Sequence, residues 1–224
     1  MSSPSKFSPW FPVGLSPIRQ FEIGPLRNFV YLVIDHQSRQ ALWVDPQTDL
    51  SQPQEFLDKA GIRLSGVLLT HTHPDHTAGL KDLVAQHPDI PIYLHELDAH
   101  RLDMSRFGDH LHFLEDGHHL QLGKLFIQAF HTPGHSAGAL SFRIQDCLLT
   151  GDTLFIRDCG RTDLPTGSTE QMFKTLQRYK TMDPHLQVFP GHHYREEYWS
   201  TLAEEFRTSP PLQCRTVAEL EALP

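Results

Sequence analysis

An apolar run that stops in three imidazoles and a carboxylate leaves a chain few ways to fold. Residues 67–79 read VLLTHTHPDHTAG. Val67, Leu68, Leu69 and Thr70 predict a short buried strand. His71, His73, Asp75 and His76 then crowd into six consecutive positions. Alternate residues on an extended segment point the same way, so His71 and His73 can face one ion. Imidazole with carboxylate suits zinc, iron or manganese. Pro74 stiffens the turn, and Thr77, Ala78, Gly79 and Leu80 open a predicted helix whose positive end lies beside Asp75. In a chain with 16 histidines the plain alternative is a solvated His-rich loop. The placement directly after a buried strand favours a metal site.

The same grammar recurs three times. An apolar run at 126–130 is followed by His131, Thr132, Pro133, Gly134 and His135. Residues 147–150 end in Gly151 and Asp152, and Val188 with Phe189 ends in Pro190, Gly191 and His192. Core strands need apolar residues but have no use for a His or Asp just past their ends. Ligand sites collect at strand ends because the sheet is rigid while the loops vary freely.

The series His71-x-His73-x-Asp75-His76, His135, Asp152, His192 resembles the metallo-β-lactamase fold superfamily of dinuclear metallohydrolases, over roughly residues 20–195. The resemblance implies an α+β fold, an αβ/βα four-layer sandwich with two mixed β-sheets flanked by helices. It implies two divalent metal ions, zinc first, with iron or manganese also accepted by such ligands. One ion would take His71, His73 and His135, and the other Asp75, His76 and His192, with Asp152 bridging them. Residues 153–163 resemble the loop that follows the bridging Asp in glyoxalase II and in persulfide dioxygenases. Gly191-His192-His193-Tyr194 is similar to the glyoxalase II Gly-His-x-Tyr signature. By that resemblance Arg161 and Tyr194 would touch a glutathione-derived substrate. The alternative is that Arg161 pairs with Asp158 or Asp163 and Tyr194 packs.

The implied activity is hydrolysis of a small-molecule thioester of the hydroxyacylglutathione type, using a metal-bridging hydroxide, with Asp75 and Asp152 as catalytic carboxylates. The alternative from another class is a persulfide dioxygenase with a mononuclear Fe(II) on His71, His135 and Asp152. Pro190-Gly191-His192 favours the hydrolase over the Pro-Ala-His common in the dioxygenases, and so does Gln171-Met172. A lactonase and a non-catalytic metal-binding module stand further back.

Composition narrows the partners. The formal charge is -8 and basic residues do not cluster, which argues against nucleic acid or an anionic membrane as partner. The longest apolar stretch, 29–34, is too short to cross a bilayer, and no apolar run of signal-peptide length opens the chain. Three cysteines without knuckle spacing suit a reducing cytoplasm. A Ser- and Pro-rich surface arm is expected over 1–17, then one domain over 18–224 ending in a short helical tail.

The remaining elements follow from pattern. Residues 18–23, 28–34 and 41–44 predict an antiparallel meander. Ser51 is read as the cap of a helix ending at Ala60, before Gly61. A helix is expected over 80–86, a strand over 92–94 and a helix over 95–101. Residues 109–119 read as a half-exposed hairpin turning at Asp116-Gly117. That leaves His110, His112, His118 and His119 outside the site, with His131 supporting a turn. A tight hairpin joins 140–144 to 147–150, and a helix starting at Ser168 reaches Tyr179. One helix is expected over 195–206 and another over 216–223.

Overall fold

The computed structural model describes residues 16–223. The expected arm over 1–17 lies outside them except for its last two residues. β2 (Asn28–Asp35) shows why the architecture has layers, because every one of its residues is buried. Val30, Leu32 and Ile34 enter one core, while Phe29, Tyr31 and Val33 enter another. A strand apolar on both faces must be covered on both.

The first sheet runs β1 (Ile18–Ile23), β2, β3 (Gln40–Val44), β4 (Arg63–Leu68), β5 (Ile92–Leu94) and β6 (Leu111–Phe113). β1 to β3 form the antiparallel meander expected, and β3 to β6 are parallel neighbours. The helices α1 (Ser51–Ala60), α2 (Pro74–Thr77), α3 (Leu80–Gln86) and α4 (Met104–Phe107) accompany this half. Leu57, Leu80, Leu83 and Phe107 close its outer core.

The second sheet runs β7 (His119–Leu122), β8 (Leu125–His131), β9 (Leu140–Ile144), β10 (Cys147–Gly151), then β13 (Gln187–Pro190) and β14 (Ser200–Thr201). β11 (Leu154–Phe155) and β12 (Asp158–Cys159) make a separate small hairpin. The helices α5 (Thr169–Tyr179), α6 (Leu202–Thr208), α7 (Pro210–Gln213) and α8 (Val217–Glu221) cover the outer face through Met172, Leu176, Leu202, Leu212 and Leu220. Phe29, Val33, Phe142, Leu149 and Phe189 fill the space between the sheets. The result is the expected order of helices, sheet, sheet, helices. Among the described residues no helix is long and apolar enough to cross a membrane.

Strand direction decides where the loops meet. β3 and β4 are parallel and so end at one edge of the first sheet. β8 and β10 both oppose β9, and β10 is parallel to β13, so these three end together in the second.

Four expectations about local structure change. Ser51 does not cap α1: the Asp49 Oδ1 atom accepts from the Ser51 amide at 3.0 Å and from its hydroxyl at 2.6 Å. A carboxylate two residues earlier has better reach to the free amide. Residues 109–119 are not a hairpin, because β6 joins the first sheet and β7 the second. The Asp116 carboxylate accepts from the His131 amide at 2.9 Å and binds Arg178 at 2.7 Å, which anchors the crossing segment. Residues 195–206 are not one helix: the short strand β14 precedes α6, which Thr201 caps by accepting from the Glu204 amide. The strand expected over 67–70 starts earlier, at Arg63, and ends at Leu68, so Leu69 and Thr70 belong to the loop that follows.

Phe142 is fully buried between the sheets. Phe142→Ala should lower unfolding free energy by about 3–5 kcal/mol in urea titrations. A loss below about 1 kcal/mol would show that the two sheets are not held by this face.

Candidate metal centre

The loop after β4 is held from below by a carboxylate. Asp45, just past β3, accepts from the Thr70 amide at 2.7 Å, the Thr70 hydroxyl at 2.5 Å and His76 Nδ1 at 3.0 Å. Its backbone is left-handed, at φ 51°. His71 and His73 then diverge, and Pro74 starts the single turn that carries Asp75 and His76. From the second sheet, the turn after β8 brings His135, β10 ends in Gly151 and Asp152, and β13 leads to His192. Gly191 has a steric reason: a Cβ there would overlap the Asp152 carboxylate.

All seven residues singled out in the sequence converge. Ring centres of His71 lie 4.7 Å from His73, 4.1 Å from His76 and 5.0 Å from His135. His73 Nδ1 faces His135 Nε2 at 2.9 Å, and His76 Nε2 faces His192 Nε2 at 3.2 Å. Asp75 Oδ2 lies 3.3 Å from His192 Nε2 and 3.4 Å from His76 Nε2. Asp152 touches both groups, with His76 at 3.4 Å, His192 at 3.3 Å and His135 at 3.7 Å. The ligand atoms of His71, His73 and His135 lie within 4.8 Å of one another, and so do those of Asp75, His76 and His192.

The outward nitrogens explain why the inward ones are free. His135 Nδ1 donates to the Arg161 carbonyl at 2.8 Å and His192 Nδ1 to the Leu26 carbonyl at 2.9 Å. Asp45 takes the Nδ1 proton of His76, and the Thr70 hydroxyl lies 3.1 Å from His71 Nδ1. With protons fixed outside, each Nε2 lone pair points inward. His71 Nε2 is buried without a hydrogen-bond partner, and so is Asp152 Oδ1. Converging lone pairs and unsatisfied acceptors are a donor set that a divalent cation fits.

Electrostatics say the same. Burial, then the neighbouring His135 and Arg101, lowers His73 to about 4, and burial holds His71 well below its ordinary value. Burial opposes charge on His76 too, yet Asp152 and Asp45 raise it well above the usual value. Against the same burial, Asp152 and Asp75 raise His192 to about 9. Burial would raise Asp75 and Asp152, but the imidazoles keep both well below the carboxylate range. Two ionised carboxylates in a closed site demand positive charge, which protons supply until a cation replaces them.

Three supporting residues lay beyond the sequence reading. Asp45 had a signal, since it too follows a strand directly, but Pro46 marked it as a turn. Asn28 Nδ2 donates to Asp75 Oδ2 at 2.9 Å, and nothing in its strand announced it. Asp98, fully buried, accepts from the Ser136 hydroxyl at 2.7 Å and the Gly138 amide at 2.9 Å, and pairs with Arg101 at 3.1 Å. It also takes the Thr72 amide at 3.3 Å, so it ties the His71–His73 loop to the His135 turn.

A cleft of about 630 Å³ reaches the centre at His73, Asp75, His135, Asp152 and His192. Leu26, Phe155, Leu164 and Tyr194 give it an apolar wall. Tyr194 stacks on His192 with ring centres 4.8 Å apart and planes 9° apart. Arg161 also lines the cleft, but its guanidinium makes two 2.6 Å bonds to Asp163. Cys159 lines it as well, with burial and then Asp158 pushing its thiol up to about 12. His131 stays outside, its Nε2 bonded to the Ala137 carbonyl at 2.8 Å, and His110 bonds the Ile90 carbonyl at 3.0 Å.

Two layered sheets meeting at a buried His–Asp centre find a match in sequence. Residues 23–192 match the Metallo-beta-lactamase superfamily, and the chain belongs to it. A probable polyketide biosynthesis zinc-dependent hydrolase, BaeB of Bacillus velezensis, is 35% identical, covering 76% of this chain and 75% of its own. A hydroxyacylglutathione hydrolase of Haemophilus ducreyi is 34% identical, covering 75% of this chain and 66% of its own. The mitochondrial persulfide dioxygenase ETHE1 of Bos taurus is 30% identical, covering 83% and 71%. The chain thus spans about two thirds to three quarters of these relatives' lengths. The crystal structure of ETHE1 from Myxococcus xanthus superposes with a TM-score of 0.79 at 25% identity, covering 92% of both chains.

Asp45→Asn keeps the shape of the side chain while removing its charge from His76 and Thr70. Zinc affinity by chelator competition should fall by about 10–100-fold. An unchanged affinity in a folded variant would show that Asp45 does not orient His76.

Proposed function

We propose that the protein is a metal-dependent hydrolase that cleaves small-molecule thioesters of the hydroxyacylglutathione type. His71, His73 and His135 would hold one divalent ion, and Asp75, His76 and His192 the second, with Asp152 reaching both. The observation that supports this most concerns the three groups of ligand-type side chains among the described residues: that of His71, His73 and His135 and that of Asp75, His76 and His192 share no residue and have the Asp152 carboxylate between them. Zinc is the favoured ion, since nitrogen and carboxylate ligands suit it and nothing in the set requires redox chemistry.

Ions held there supply Lewis acidity to a carbonyl oxygen and lower the pKa of water towards about 7. The chain's own groups do the rest. Asp75, a quarter exposed at the cleft, is held by Asn28 and kept ionised, so its carboxylate can accept a hydrogen bond from the attacking water and orient it. Leu26, Phe155 and Tyr194 exclude bulk water from the acyl group. Burial, then Asp152 and Asp75, push the Tyr194 phenol up to about 12, so it remains a hydrogen-bond donor to the substrate. The attacking water gives up a proton through the Asp75 carboxylate to solvent as its oxygen bonds to the thioester carbon, the C–S bond breaks, and sulfur leaves with the electron pair as thiolate. A thiol ionises at about 8.5, so it departs without a dedicated acid.

A persulfide dioxygenase is the second reading, favoured by the bovine relative. It would use His71, His135 and Asp152 for one Fe(II), and it leaves the trio Asp75, His76 and His192 without a task. Oxygen uptake with glutathione persulfide, in place of thioester cleavage, would establish it.

His73→Ala and Asp152→Ala should each lower kcat/KM on a hydroxyacylglutathione thioester by more than about 100-fold. Chelator treatment should abolish the activity and added zinc restore it. Full thioesterase activity in a metal-free preparation would end the proposal.

A further inference from the structure

A second groove, about 770 Å³, lies beyond the mouth of the cleft, and Tyr194 lines both. Arg27, Arg157 and Arg195 line it with Glu196 and Glu197. Three guanidiniums thus gather on one wall in a chain whose formal charge is -8, with Glu22 and Asp158 standing behind Arg27 and Arg195. The same two hairpins flank both spaces. Leu26 faces the cleft and Arg27 the groove at the β1–β2 turn, while Asp158 and Arg157 divide likewise at the β11–β12 turn.

The arginines are held there at a cost. Arg27 has φ 56° and Arg157 φ 60°, left-handed backbone that glycine would adopt without strain. A wholly buried carboxylate, Glu205, fixes the second by accepting from the Arg157 amide at 2.6 Å. Two of the three have loose side-chain partners: Arg157 meets Glu197 at 2.6 Å with both half exposed, and Arg195 reaches Asp158 only at 3.9 Å. Arg27 is held more firmly, by the largely buried Glu22 at 3.2 Å and by His193 Nδ1 at 2.7 Å. The exposed pairs of Arg157 and Arg195 contribute little, so a phosphate group that offers two oxygens to a guanidinium can displace them.

We propose that this groove takes the phosphate of a phosphopantetheine-type thiol carrier, whose uncharged arm runs past Tyr194 and delivers the thioester into the cleft. This rests on the thioester reading and narrows it, from glutathione to a carrier that ends in phosphate. Such an arm occurs both in coenzyme A and on carrier proteins. An extended amide chain suits the apolar wall of Leu26, Phe155 and Tyr194, and its phosphate, an anionic diester on a carrier protein and part of a diphosphate in coenzyme A, suits the arginines.

The test places one short acyl group on pantetheine, 4′-phosphopantetheine, coenzyme A and a phosphopantetheinylated carrier protein. With the zinc-loaded enzyme, KM for the phosphopantetheine ester should lie at least about tenfold below that for the pantetheine ester, an advantage that shrinks as salt is raised. In an Arg157→Gln, Arg195→Gln double variant the ratio of the two KM values should fall within about twofold of one. Given that phosphate advantage, a KM with coenzyme A as low as with phosphopantetheine identifies the free carrier, and a KM lowered further with the carrier protein alone identifies the attached one. Equal KM values in the wild type, or an advantage that survives in the double variant, overturns the proposal. If no thioester on any carrier is hydrolysed, the hydrolase reading fails separately. Calorimetric binding of 4′-phosphopantetheine against pantetheine then decides the groove alone: tighter binding with phosphate supports it, and equal binding overturns it.

Discussion

The structure depends on a buried carboxylate ringed by imidazoles. Asp152 is closed off from solvent and touches His76, His135 and His192 at once. An ionised group in such a place is tolerated only if opposite charge and hydrogen bonds surround it. Neither sheet supplies that environment alone. The first brings Asp45 and the segment His71–His76, and the second brings His135, Asp152 and His192. The aligned ends of β3 and β4, and of β8, β10 and β13, are what allow the two sets to meet. A one-residue slip in any of these strands would turn a ligand away from the site.

Around that centre the chain is built to fix orientation rather than to add ligands. Asp45, Asn28 and Asp98 touch side chains or backbone of the loops that carry the ligands, and each lies on a different element. Carbonyls of Leu26 and Arg161 perform the same task for His192 and His135. Asp45, Asn28 and Asp98 thus give the site precision without lining the cleft, while Leu26 and Arg161 do so through their backbone. The walls of the cleft are different in kind. Residues 24–27, 154–167 and 193–195 are short hairpins and loops, whose side chains can vary so long as the Leu26 and Arg161 carbonyls keep their places.

Much of this was legible in the sequence because ligands leave a local signature. H-x-H-x-D-H after an apolar run, and a Gly with a His or Asp at three other strand ends, pointed to seven side chains that the fold brings together. The layering was legible only through the resemblance that those seven side chains carried. What stayed hidden depends on contacts across the fold. Asp98 sits in a helical turn like any surface acid until the Ser136 hydroxyl and Gly138 amide arrive from distant sequence. The hairpin expected at 109–119 failed because alternation fixes that a strand forms but not which sheet receives it. The helix expected over 195–206 failed because polar residues after Tyr194 fit a helix face and an exposed loop equally well. Arg161 lines the cleft, and its guanidinium pairs with Asp163, which is the alternative reading of that residue.

The most direct test of a two-ion centre is the metal content of the purified protein, counted by elemental analysis and located by anomalous scattering. Two ions per chain, one among His71, His73 and His135 and one among Asp75, His76 and His192, is the predicted result. A single ion with the second trio empty at saturating metal, or ions bound elsewhere, would contradict it.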